Sequence, residues 1–108
     1  MPVILGEFEQ LVMLTVLRLG EDAYTGAVRD ELIQRAGRDA TPGAIFTTLE
    51  RLEERGLVTS RYGDPTVERG GRRKRYYRLR PEGRRALSHS LETIRRVAAG
   101  LEPKLVRP

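Results

Sequence analysis

The spacing of apolar residues changes character twice along this chain, at Gly56 and again at Pro81. Before Gly56 they recur in the three- and four-residue steps of amphipathic helices. Between the two points stand short β-branched and aromatic runs separated by Gly and Pro, the pattern of paired strands. After Pro81 the helical period returns. A chain in that order is confined to a mainly α fold carrying one β-hairpin, because a single pair of strands cannot form a core by itself.

Three helices are predicted before Gly56. The first runs from about Phe8 to Leu19, with Leu11 and Leu14 on one side, Phe8, Val12 and Val16 adding apolar width, and Gly20 as its stop. The second runs from Thr25, read as its N-cap, to Ala36, with the stripe Val28, Leu32, Ala36, Ile33 beside it and Tyr24 placed to pack back toward Val28. Thr41-Pro42 is the clearest helix start in the chain. Thr can cap the free amides, and Pro at the first helical position loses no hydrogen bond. The third helix then buries Ile45, Leu49 and Leu52 and leaves Gly43, Thr47, Glu50, Arg51 and Glu54 on its other side.

Residues 57–62 and 74–79 read as strands, joined through Gly63-Asp64-Pro65 and Gly70-Gly71 into a hairpin with a long basic loop. Strand alternation puts Arg75, Tyr77 and Leu79 on one face and Tyr76 and Arg78 on the other, with Tyr77 assigned to the core. Pro81 opens a fourth helix expected to reach Leu101, before Pro103. Its Leu87, Leu91, Ile94, Ala98 and Leu101 follow a 4-3-4-3 spacing, the seam of a helix pair and the candidate dimerisation surface.

Charge is unevenly placed. The 108 residues carry a formal +5, yet residues 61–85 hold ten basic side chains against three acidic ones, so the remainder is slightly acidic. Such focusing fits a polyanion held at one place. Composition also excludes whole classes. Without Cys there is no disulfide scaffold, thiolate metal site or cysteine nucleophile, and a single His, His89, leaves no zinc ligand set. His89 lacks a nucleophile elbow around Ser88 and Ser90, and Gly70-Gly71 lacks a strand-loop-helix context. No enzyme activity, metal or cofactor is expected. The start of the chain lacks a signal-peptide pattern, and the best apolar run, residues 11–17, stops at Arg18, short of the ~18 a membrane helix needs. The expectation is a cytoplasmic protein with no membrane partner.

Helix, helix, capped helix, basic hairpin is the order of a winged helix-turn-helix, with residues 37–40 as the turn. A major groove ~12 Å wide admits one helix, and a basic β loop beside it can grip phosphates. Thr41, Gly43, Phe46, Thr47 and Arg51 are the candidate DNA-binding residues of the reading helix. Arg51 has two uses open to it, a guanine edge or an ion pair with Glu50 or Glu54; Phe46 is either a core edge or a DNA-facing ring. The candidate phosphate contacts of the wing are Arg69, Arg72, Arg73, Lys74 and Arg75, with Arg84 and Arg85 left open between DNA contact and solvated surface.

The motifs Tyr24-Thr25-Gly26, the run from Pro42 to Val58 containing Leu49-Glu50-Arg51-Leu52 and Gly56-Leu57-Val58, Arg73-Lys74-Arg75-Tyr76-Tyr77-Arg78-Leu79 and Pro81-Glu82-Gly83 resemble the PadR-like family of winged-helix transcriptional regulators from about Gly6 to Leu101. The resemblance implies a homodimer joined by the C-terminal helix, commonly a repressor, and in several cases responsive to a small aromatic or hydrophobic effector. Phe46-Thr47 stands where Tyr-Pro is common in that family, and Trp is missing altogether.

The chain is therefore expected to divide into a winged helix-turn-helix at 1–80 and a dimerisation helix with tail at 81–108. Its expected function is sequence-specific binding of double-stranded DNA at a palindromic operator by a homodimer. Two competitors share the fold: a protein-interaction module, and an architectural binder of nucleic acid without sequence preference. Operator discrimination of about 10³-fold or more separates a regulator from both.

Overall fold

The computed structural model describes residues 3–64 and 73–106. Within them the order is α1 (Glu7–Leu19), a 3₁₀ turn (Gly20–Asp22), α2 (Thr25–Ala36), α3 (Pro42–Glu54), β1 (Val58–Tyr62), β2 (Arg75–Leu79), α4 (Pro81–Ala98) and α5 (Glu102–Val106). The mainly α fold with one antiparallel hairpin agrees with the reading of the sequence. The strands pair Val58 with Leu79, Ser60 with Tyr77 and Tyr62 with Arg75. A bridge from Tyr24 to Tyr76, with the Tyr77 amide donating to Ala23 O at 2.8 Å, ties the hairpin to the start of α2.

The core gathers Val12, Met13 and Val16 of α1, Val28 and Leu32 of α2, Ile45, Leu49 and Leu52 of α3, Val58, Tyr77 and Leu79 of the hairpin, and Ala86 and Leu87 of α4. Three details differ from expectation. In α1 the buried side is Val12, Met13, Thr15 and Val16, with Leu11 and Leu14 only half covered, because the helices pack one flank away from the expected stripe. The N-cap of α2 is Tyr24 rather than Thr25, and the Tyr24 ring meets Tyr76 edge-on at 5.7 Å instead of folding onto Val28. Ala36 and Ile33 lie exposed at the end of that helix.

The fourth helix ends at Ala98, short of Leu101. Gly100 adopts a φ of 82°, and Pro103 sits inside the short α5 instead of closing a long helix. The first turns of α4 belong to the winged unit itself: Gly83, Ala86 and Leu87 are buried. Leu87 is thus corrected from dimer seam to subunit core, since α4 lies against α1 and β2 at this point. Leu101 falls beyond the helix that was to carry it. Beyond Leu87 the apolar residues Leu91, Ile94, Val97, Leu101, Leu105 and Val106 all face solvent.

Candidate nucleic-acid interface

The reading helix is built as its sequence requires. Thr41 has an extended backbone and its Oγ1 accepts from the Ala44 amide at 3.1 Å, so the first turn of α3 is capped with Pro42 at its start. The preceding turn is pinned by Arg29, whose Nε donates to Ala40 O at 2.9 Å and whose Nη2 pairs with Asp39 at 3.1 Å. Arg55 holds the other end, reaching Glu9 and the Ile4 carbonyl at 3.0 Å each. Ile45, Leu49 and Leu52 are fully buried. Their anchoring leaves Gly43, Thr47, Arg51 and Glu54 exposed along the opposite side.

Phe46 takes the exposed option, with 44% of its surface open. Arg51 makes no ion pair among the described residues, so neither Glu50 nor Glu54 holds it. Every described candidate of the reading helix therefore lies on the solvent side, where a duplex can be met.

The wing residues divide. Arg69 and Arg72 lie outside the described residues. Arg73 is exposed at the return of the loop. The Lys74 ammonium stands 4.2 Å from the centre of the Tyr24 ring, a cation–π contact that orients it along the outer face of the hairpin. On that face the Arg61 guanidinium covers Tyr76 at 4.8 Å and pairs with Glu21 at 3.1 Å. Arg84 and Arg85 are exposed on α4.

Arg75 is placed differently from the phosphate contact expected of it. Its Nη2 lies 2.6 Å from Glu53 Oε1 and 2.8 Å from Glu50 Oε1, and its Nε donates to Ser60 Oγ at 3.0 Å. Ser60 in turn donates to the Glu53 carboxylate. Alternation of the strand turned Arg75 to the side of Tyr77, and that side faces α3, where two carboxylates wait. Burial works against the charge of the guanidinium, while the facing Tyr77, Glu50 and Glu53 favour it and carry its pKa above the ordinary arginine value. Sequence reasoning had placed Arg75 beside Tyr77, but it missed Glu50 and Glu53 as partners.

Tyr77 closes the network from below. Its ring is almost fully buried, its hydroxyl has no hydrogen-bond partner among the described residues, and burial, opposed by Arg75, raises its pKa above that of a free tyrosine. Phe46, Glu50 and Glu53 occupy one flank of α3, so the wing is fastened directly beside the exposed side that carries Thr47. A helix surface and a hairpin base joined in this way can meet groove and backbone of one duplex together.

Comparison with known proteins agrees with this architecture. The sequence profile of the "Transcriptional regulator PadR-like family" matches residues 13–89. Transcriptional regulator Rv3488 of Mycobacterium tuberculosis is 36% identical over 73 residues, 68% of this chain and 64% of that protein, so the match spans less than two thirds of the relative's length. A PadR family transcription regulator from Clostridium difficile superposes with a TM-score of 0.72 at 20% identity, covering 91% of this chain and 98% of the other. One from Eggerthella lenta gives 0.69 at 27% identity, covering 94% and 88%. No helix among the described residues is long and apolar enough to cross a membrane. With the profile match running from α1 well into α4, the chain belongs to the PadR-like family of transcriptional regulators.

Proposed function

We propose that this chain works in the cytoplasm as a homodimer that represses transcription by occupying a two-fold symmetric operator. The observation that carries the DNA-reading part is the fastening of β2 to α3 through Arg75, which holds the wing beside the exposed Gly43, Thr47 and Arg51. Thr47 can meet a thymine methyl or a base edge, Arg51 can read guanine, and Arg73 can neutralise phosphate. Thr41 and Gly43 let the backbone at the start of α3 come close to the duplex.

Dimerisation is supported by the second half of α4. Leu91, Ile94 and Val97 are exposed at 36%, 55% and 75%, and Ala98 is half covered. A contiguous apolar surface of that kind is a mark of protein–protein contact. Val3 and Ile4 stand next to it, across a cleft also lined by Gln10, His89, Thr93 and Ile94. A small hydrophobic effector entering that cleft would act on the angle between two winged units. Among the described residues the cleft is lined by no Phe or Tyr ring, so the effector reading rests on apolar contact rather than on aromatic stacking.

Selection of bound duplexes from a random pool at ~0.15 M salt tests the proposal. The expected product is an inverted repeat with half-sites about one helical turn, ~34 Å, apart. Recovery of unrelated duplexes with equal affinity would instead identify an architectural binder, and no duplex binding would identify an interaction module. Repeating the affinity measurement with hydrophobic and aromatic compounds tests the effector, and an unchanged affinity throughout removes it.

A further inference from the structure

We propose that Arg75, clamped by Glu50 and Glu53, is a positioning residue that sets the wing against the reading helix and so determines operator discrimination without touching DNA. The inference rests on the reading of α3 and the hairpin as the duplex-binding surface. Arg75 is the only residue of the proposed wing contacts among the described residues whose guanidinium is held by carboxylates, and both carboxylates belong to α3.

Its position in the strand register gives it leverage. Val58 pairs with Leu79 in the core, Ser60 with Tyr77 one step outward, and Tyr62 with Arg75 at the last rung before the loop. The hairpin is anchored by apolar burial at the first of these rungs, by the buried Tyr77 and the Tyr24 bridge at the middle, and by Arg75 at the last, the rung nearest the reading surface. A small rotation at that rung shifts Arg73, two residues away, relative to α3. A planar guanidinium that hydrogen-bonds Glu53 and Ser60 at once, with Glu50 ion-paired beside it, resists such rotation, which a single point charge does less well.

The surroundings keep the clamp in place. The guanidinium carbon lies 5.3 Å from the centre of the Tyr77 ring, 5.9 Å from Tyr62 and 6.0 Å from Phe46, so aromatic rings from β2, β1 and α3 surround it. They exclude water from part of the site and strengthen the ion pairs. Electrostatics supplies a second effect. Glu50 lies one helical turn from Thr47 and Glu53 nearly two, and two uncompensated carboxylates there would repel the phosphates that α3 approaches. Arg75 cancels one of the two charges.

The test compares three proteins, wild type, Arg75→Lys and the double variant Arg75→Gln with Glu53→Gln. The double variant removes the clamp and leaves the local net charge at its original value. Each is titrated, as the full chain, against the selected operator and an unrelated duplex across a series of salt concentrations, with circular dichroism and thermal unfolding confirming the fold. The double variant is expected to lose about tenfold in the ratio of operator to unrelated affinity, with affinity for the unrelated duplex and the salt slope unchanged. Arg75→Lys is expected to lose about threefold in the same ratio, because lysine keeps the charge and lacks the fork.

Either folded variant retaining the full ratio overturns the inference. So does equal loss on both duplexes with a reduced salt slope in the double variant, the signature of a direct phosphate contact. If the wild type itself fails to discriminate between duplexes, the proposed function fails first, and that result is visible before any variant is made.

Discussion

Gly83 in α4 lies against the Leu57 carbonyl so closely that a β-carbon at position 83 would stand 2.1 Å from that oxygen. The same oxygen accepts from the Arg80 amide at 2.9 Å, so it cannot move aside without loosening the junction between hairpin and α4. In an ordinary helix interior, Gly to Ala gains ~0.5–1 kcal/mol. Here the sign reverses. Gly83→Ala is expected to lower the unfolding free energy by ~2–3 kcal/mol, the range of severe overpacking, as read by urea denaturation.

Thr41→Ala removes the one side-chain cap of α3 and leaves the Ala44 amide without its acceptor. The expected loss is ~1 kcal/mol, with Thr41→Ser within a few tenths of the wild type. Thermal unfolding of the two variants side by side checks this. Equal midpoints for Ala and wild type would show that water caps the helix as well as threonine does.

Gly43→Ala separates folding from recognition. The nearest atom to a β-carbon there is Thr41 Oγ1 at 4.0 Å, so nothing among the described residues opposes it. Helix propensity predicts a gain of ~0.5–1 kcal/mol in stability. If the backbone at this position comes close to the duplex, the added methyl lowers operator affinity in the same protein. A variant that is both more stable and equally tight on DNA would remove Gly43 from the interface.

Tyr77→Phe deletes a buried hydroxyl that has no partner among the described residues. The variant is expected to be as stable as the wild type or more so by ~1 kcal/mol, since an unsatisfied buried polar group carries a desolvation cost. The pH dependence follows from the raised pKa of Tyr77. Below the ordinary tyrosine value of about 10 both states hold the proton and the difference between the proteins is constant. Above it the unfolded chain releases the proton first, so the wild type loses stability as pH rises toward the folded value. Denaturation from pH 8 to 11 should show the variant's advantage growing with pH.

Leu87 and the pair Leu91 and Ile94 lie on one helix and should fail in different ways. Leu87 is 3% exposed and Leu91 and Ile94 are 36% and 55% exposed. Leu87→Ala is expected to cost ~2–5 kcal/mol of unfolding free energy. Leu91→Glu with Ile94→Glu is expected to leave the fold intact and turn a dimer into monomers in sedimentation velocity. An unchanged mass would remove this half of α4 from the subunit contact.

Much of the architecture was legible because its signals are local. Thr41-Pro42 announces a capped helix, Ile45, Leu49 and Leu52 announce its buried side, and the Gly-rich break between a β-branched run and an aromatic one announces the hairpin. Each is a property of neighbours along the chain, set by backbone geometry within a few residues. The end of α4 was equally local and was misread: Gly100, at positive φ, stops the helix before Pro103 can.

What the sequence by itself determined was which elements form, which of their sides are apolar, and that positive charge gathers around the hairpin. Only the tertiary structure decided what each side meets: that Arg75 turns to Glu50 and Glu53 and away from solvent, that Leu87 closes the subunit core, and that Gly83 is required by a carbonyl 26 positions earlier. Periodicity records the direction of a side chain relative to its own helix or strand. The partner it finds there depends on how separate elements pack, and residues far apart in the chain settle that together.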